Sequence, residues 1–173
     1  MMLPVMSRMA SQFPGFRFLV SATPAIDQEV YRNCSVDPSL PLITGQTYEM
    51  VCHACAALVA SGTATLETAL LGTPQVVLYK MAGGKWGYRI FKFLFLKVKY
   101  VSLPNLILGR PALRELIMDE MREELVSHET NLLLHDVEYR QKITHSYKEM
   151  RQVMGEEGAS ARVAADMIRI LRG

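Results

Sequence analysis

Apolar residues along this chain fall into short continuous runs separated by stretches of helical spacing. "LPVMSRMASQF" (3–13) reads as the end of a helix, and Pro14-Gly15 as the turn that leads into a strand, "FRFLVS" (16–21). A helix near 27–33 follows, then a short strand at "LPLIT" (40–44) and a helix starting around Thr47. "AALVAS" (56–61), "TATLETALLG" (63–72) and "PQVVLY" (74–79) then give strand, helix and strand. Short apolar strands alternating with helices predict a parallel sheet with helices on both faces. After Ser102 the pattern turns helical, with helices expected at 112–121, 128–135, 137–154 and 159–171. No repeat or long linker divides the chain, so one domain is expected over 1–173, parallel α/β to about 110 and mostly helical beyond.

In an open parallel sheet, ligands sit beyond the carboxyl ends of the strands, where helices begin. That rule singles out the segment Ser61 to Thr65, between a buried strand and an apolar helix. Gly62 lets the backbone come close, and the free N–H groups of a first helical turn favour an anion. Thr63 and Thr65 add hydroxyl donors, although Ser61 or Thr63 also fits as a plain N-cap. Glu67 belongs to no capping box, because Ala64 stands three residues before it. A carboxylate there suits two hydrogen bonds from a vicinal diol such as a ribose. Neither a GxGxxG nor a GxxxxGK[ST] fingerprint is present, which argues against NAD enzymes and P-loop NTPases.

Charge changes the picture more than composition does. The formal net charge is only +2, yet no Asp or Glu occurs between Thr68 and Arg114, where eight Lys and Arg residues stand. The rest of the chain holds 11 basic against 17 acidic residues. Half the aromatic residues share the basic stretch, which points to an anionic partner. Within it, "KWGYRIFKFLFLKVKY" (85–100) fits a helix. Lys85, Arg89, Lys92 and Lys99 fall within about 40° of one line, with Trp86, Phe91 and Phe95 on the opposite arc. Such a helix suits a membrane interface, or equally a sheet-packed helix with a solvated basic edge. No run of 18 apolar residues exists and no signal peptide is recognisable, so a cytoplasmic protein is expected.

Cys34, Cys52 and Cys55 cannot all pair, and "CHAC" (52–55) lacks a second ligand cluster for zinc, so small buried thiols are expected. His53, His128, His135 and His145 are scattered on expected helices without a nucleophilic partner. In "YVSLPNLILGR" (100–110), Pro104 predicts an extended Leu103, and Asn105 a turn or an N-cap. Asn105, Gly109 and Arg110 would then stand at another strand's carboxyl end, suited to a diphosphate or a base edge.

"ASGTATLE", the "P-x-VV-x-Y" strand, the aromatic basic helix and "YVSLPNLIxGR" together closely resemble the lipid-A-disaccharide synthase family. The likeness covers most of Leu58 to Leu116 and is weaker but colinear elsewhere. It implies the C-terminal, donor-binding half of a two-domain GT-B fold with a Rossmann-like sheet. The implied reaction is metal-independent and needs no cofactor: an inverting hexosyl transfer in lipid A biosynthesis. It joins UDP-2,3-diacylglucosamine to 2,3-diacylglucosamine 1-phosphate and releases UDP. By position, Ser61, Gly62, Thr63 and Thr65 would face the pyrophosphate and Glu67 the ribose, with Asn105, Arg110 and Glu115 in the same cleft. Trp86, Arg89, Phe91, Lys92 and Phe95 would meet the acyl chains or the inner-membrane surface. A peripheral cytoplasmic location, no nucleic-acid partner and a possible homodimer follow from the same reading. Two features depart from the family: its Gly-Ser-Arg loop and preceding strand are missing, and Met118 stands where a glutamine is usual. A truncated C-terminal portion without the catalytic acid, inactive alone, is therefore expected. The alternative from another class is a non-catalytic α/β module that binds a nucleotide or an anionic membrane.

Overall fold

The computed structural model describes residues 2–35, 37, 39–60, 62–79, 99–155 and 158–172. Its elements run α1 (Met2–Gln12), β1 (Val20–Ala22), α2 (Gln28–Cys34), β2 (Leu42–Thr44), α3 (Thr47–His53), β3 (Ala57–Ala60), α4 (Thr63–Leu71) and β4 (Gln75–Tyr79). After residues 80–98 come α5 (Leu103–Leu108), β5 (Glu115–Ile117), a 3₁₀ turn (Met118–Glu120), α6 (Glu123–His135), α7 (Val137–Met154) and α8 (Ala159–Arg172). The expected parallel α/β architecture, flanked by helices, is what forms.

Among the described residues the strands make two parallel sheets, β1-β2 and β3-β4-β5. Register is fixed by Val20↔Leu42 in the first, and by Val59↔Val77 and Leu78↔Leu116 in the second. β4 is the central strand. Val76 and Val77 are fully buried and Leu78 nearly so, as expected for a strand covered on both faces. Around it pack Met9 of α1 and Phe13 just after it, Leu116 of β5, Val126 and Leu133 of α6, and Ile143, Tyr147 and Met150 of α7. A smaller cluster of Met6, Val20 and Leu40, with Leu42 and Leu58 against it, ties the β1-β2 pair to β3.

Local chemistry starts several helices. Asp27 caps α2 by accepting from the Glu29 N–H at 2.9 Å, and Asp136 caps α7 through the Tyr139 N–H at 2.9 Å. Glu123 and Glu124 stand in the first turn of α6, where acids offset the positive end of the helix dipole.

The structure corrects four expectations. The helix expected at 112–121 is instead β5 followed by a single 3₁₀ turn, because pairing with Val77–Tyr79 outweighs the local helical spacing of Leu113 and Leu116. Leu103 opens α5 rather than lying extended: Ser102, at φ −78° and ψ 143°, is the extended residue, and Pro104 fits the first turn, where its missing N–H costs nothing. The first strand starts at Val20, later than "FRFLVS" suggests. All three cysteines are free and exposed, not buried, since they lie at the ends of α2 and α3 and in the loop before β3 rather than under the sheet.

Candidate site at the carboxyl end of the parallel sheet

β3 delivers the chain to Gly62 at the carboxyl end of the sheet, and α4 begins immediately after it. Gly62 adopts φ 123° and ψ −158°, a conformation essentially restricted to glycine. Among the described residues no side chain caps the helix, and its first turn carries no acid. The positive end of the α4 dipole thus has no acid of its own first turn to offset it. Thr63 and Ala64 are exposed there. Thr65 is not: it is fully buried, and its hydroxyl donates to the Gly62 carbonyl at 2.8 Å. It therefore braces the turn from beneath. Glu67 is exposed one helical turn further on. Ser61 lies outside the described residues, as do Trp86, Arg89, Phe91, Lys92 and Phe95 of the basic aromatic segment.

Behind the turn stands a buried amide. Gln75, the first residue of β4, is fully buried, with Nε2 donating to the Thr65 carbonyl at 2.9 Å and to the Tyr147 hydroxyl at 3.3 Å. Burial drives the Tyr147 phenol well above its ordinary pKa, so it stays neutral beside Gln75.

Asn105 is neither a turn nor an N-cap. It sits inside α5, 1% exposed, with its hydrogen-bonding capacity filled. Nδ2 donates to the Leu113 carbonyl at 3.0 Å and to Glu115 at 2.9 Å, and Oδ1 accepts from the Ala112 and Leu113 N–H groups at 2.7 and 3.1 Å. Glu115 opens β5. Its carboxylate accepts from the Val101 and Ser102 N–H groups, the Ser102 hydroxyl and Asn105. Gly109 and Arg110 precede β5, so the structure puts them before its amino end and not at a carboxyl end. Arg110 pairs with Glu149 of α7, which also accepts from His145. The guanidinium holds the Glu149 carboxyl below its ordinary pKa. No hydrogen bond among the described residues links the Gly62 turn to the Asn105–Glu115 pair, and α5 packs on α4.

A second feature escapes sequence reasoning. A cleft of about 470 Å³ opens at the carboxyl ends of β1 and β2, lined by Ser21, Thr23, Tyr31, Gly45, Thr47 and Tyr48. Gly45, at φ 77°, turns the chain there, and Tyr48 is 57% exposed at its rim. The sequence signal was a glycine directly after a short strand, followed by two residues able to hydrogen-bond or stack. Among the described residues, no three His, Cys, Asp or Glu side chains gather to hold a metal ion. None of the described helices is long and apolar enough to cross a membrane.

The lipid-A-disaccharide synthetase family matches residues 1–168. The chain is similar to the lipid-A-disaccharide synthase of Anaeromyxobacter dehalogenans strain 2CP-1, with 33% identity over 99% of this chain and 45% of that protein. The synthase of Myxococcus xanthus is 34% identical over 98% of this chain and 44% of its own length. That of Syntrophus aciditrophicus is 36% identical over 78% of this chain and 34% of its own. The chain spans less than half the length of these curated relatives. With the parallel α/β fold and a match along nearly its whole length, the chain belongs to the lipid-A-disaccharide synthetase family.

Proposed function

We propose that this chain is the UDP-sugar donor-binding part of an inverting hexosyltransferase of lipid A biosynthesis. The complete protein joins UDP-2,3-diacylglucosamine to 2,3-diacylglucosamine 1-phosphate and releases UDP. The carrying observation is the start of α4: a glycine at φ 123°, no side-chain cap among the described residues and no acid in the first turn, at the carboxyl end of a parallel strand. Such a terminus offers N–H donors and a positive dipole to a diphosphate. Negative charge grows on the UDP leaving group as the glycosidic bond breaks, so a fixed dipole there stabilises the transition state more than the ground state.

In this reading Ser61, Gly62 and Thr63 face the diphosphate, Thr65 braces the turn, and the exposed Glu67 carboxylate accepts from the ribose hydroxyls. The cleft beside Tyr48 gives room for the base. Arg110 reaches the diphosphate only after leaving Glu149. The acceptor and the catalytic acid belong to the part of the family's length that this chain does not span, so the chain alone is inactive in transfer. The basic aromatic segment that includes Trp86, Arg89, Phe91, Lys92 and Phe95 meets acylated substrate at the cytoplasmic face of the inner membrane. Exposed apolar residues on α8, among them Met167, Ile170 and Leu171, suit a second copy in a homodimer.

The test is an amide NMR titration of this chain with UDP, using ADP as the control. Shifts at Gly62 to Glu67 with UDP preferred are expected. No response to either nucleotide, with retention on anionic liposomes, would instead favour a non-catalytic membrane-binding module.

A further inference from the structure

Asn105 and Glu115 carry more hydrogen bonds than any ligand-facing role explains. Every donor and lone pair of the Asn105 amide is used inside the protein, at distances of 2.7 to 3.1 Å. The Glu115 carboxylate gathers four donor groups, and no cation pairs with it among the described residues. Ser102, which leads into α5, is fully buried and gives both its N–H and its hydroxyl to Glu115. Three chain segments therefore meet in one polar knot: the stretch entering α5, α5 itself and the start of β5. A bound nucleotide could take a hydrogen bond from Asn105 only by breaking one already made.

We propose that Asn105 and Glu115 are positioning residues: they fix α5 against β5, and so hold α4 and its first turn at the donor, without touching the donor. The proposal rests on the donor-binding reading above. The mechanical route is the apolar contact beneath α4 and α5, where Leu66, Leu70, Ile107 and Leu108 pack against one core cluster with Ala69. Rotation of α5 would shift α4, whose amino terminus supplies the N–H groups.

Donor and acceptor chemistry makes the proposal specific. Glu115→Gln sets an amide NH₂ against a donor whichever way it turns, against the Asn105 NH₂ and the Ser102 N–H or against the Val101 N–H. Asn105→Asp sets carboxylate against carboxylate. Combining the two restores an amide facing a carboxylate with the polarity reversed, but leaves the Leu113 carbonyl without its donor and, because Asn105 and Ser102 share one Glu115 oxygen, the Ser102 N–H without its acceptor. The double variant is therefore expected to outperform Asn105→Asp, in which two carboxylates face each other.

The experiment titrates UDP into the full 173-residue chain, its two single variants and the double variant. Amide NMR follows Gly62 to Ala64 and the Asn105 side-chain NH₂, and urea unfolding is measured in parallel. In the unsubstituted chain, UDP is expected to shift Gly62 to Ala64 and to leave the Asn105 NH₂ resonances in place, a measurement that needs no variant. Each single substitution should weaken UDP binding at least about tenfold, and the double should recover part of the Asn105→Asp loss, with the urea midpoints in the same order. Movement of the Asn105 NH₂ signals with UDP, or singles that bind UDP as the parent does, overturns the positioning role. A double variant no better than Asn105→Asp in urea overturns the pairing itself. If the parent chain ignores UDP while the urea cycle still shows recovery, the donor reading has failed and takes the positioning role with it, whereas the knot stands.

Discussion

Replacing Gly62 by alanine isolates the conformational requirement of the turn before α4. The glycine holds φ 123° and ψ −158°, and a Cβ added to it meets no atom within 4 Å. No clash therefore contributes, and the penalty is that of the backbone alone, about 1–3 kcal/mol for a residue with a side chain in this region. Alanine also restricts the unfolded chain, which returns about 0.4–1 kcal/mol. The expected net loss is about 1–2 kcal/mol in urea unfolding followed by circular dichroism. Gly109 provides the control. It caps α5 at φ 64° and ψ 13°, a left-handed geometry that costs alanine only about 1–2 kcal/mol before the same return. Gly62→Ala should thus be the more damaging of the two. Relief of the strain would rotate the peptide that precedes Thr63, so UDP binding should fall at least about tenfold, the equivalent of about 1.4 kcal/mol. Equal stability of Gly62→Ala and the parent chain, together with an unchanged UDP response, would refute the argument.

Other consequences are checked more simply. Leu116→Ala removes a fully buried side chain of β5, the strand paired with β4, and should cost about 2–5 kcal/mol by chemical denaturation. Cys34, Cys52 and Cys55 are exposed, so all three should react with a thiol-specific disulfide reagent in the native protein as fast as in urea. The buried Tyr147 phenol keeps its proton more tightly in the folded than in the unfolded state. Its contribution is complete below the unfolded pKa near 10, and is lost as pH rises above it by up to about 1.4 kcal/mol per pH unit. Tyr147→Phe should flatten that alkaline slope in pH-dependent urea titrations.

Strands with strong apolar runs were legible from the chain alone. "PQVVLY" reads as a buried strand because nearly every residue in it is apolar, and β4 buries both of its faces. Helices with clear spacing and a following glycine, such as α4 ending at Gly72, were equally plain. The segment 112–121 was not. Its Leu113 and Leu116 fit a helical stripe, and only pairing to β4, a contact between residues far apart in sequence, makes it a strand. The site was legible in part for the same reason. Gly62 announces itself through position, after a strand and before a helix. The inward turn of Thr65 and the engagement of Asn105 with Ala112, Leu113 and Glu115 depend on what folds around them. Identical residue types serve a ligand or the protein interior, and spacing does not separate the two uses. The cysteines show the converse: a small apolar thiol is a good guess for burial, but the ends of α2 and α3 face outward.

Gln75 has a bearing on how the gene can be divided. Its side chain spans from the first turn of α4 to Tyr147, 72 residues further along the chain, and both contacts are made where water has no access. A truncation before α7 would strip one partner from a buried amide that already has an unpaired Oε1 among the described residues. It would also open the core where Ile143, Tyr147 and Met150 had been. The turn at Gly62 and the helix at 137–154 are therefore inherited together. Fusions, chimaeras or split versions of this protein that cut between residues 118 and 136 should yield insoluble halves, whereas a cut at the glycine after α7 leaves the pair intact.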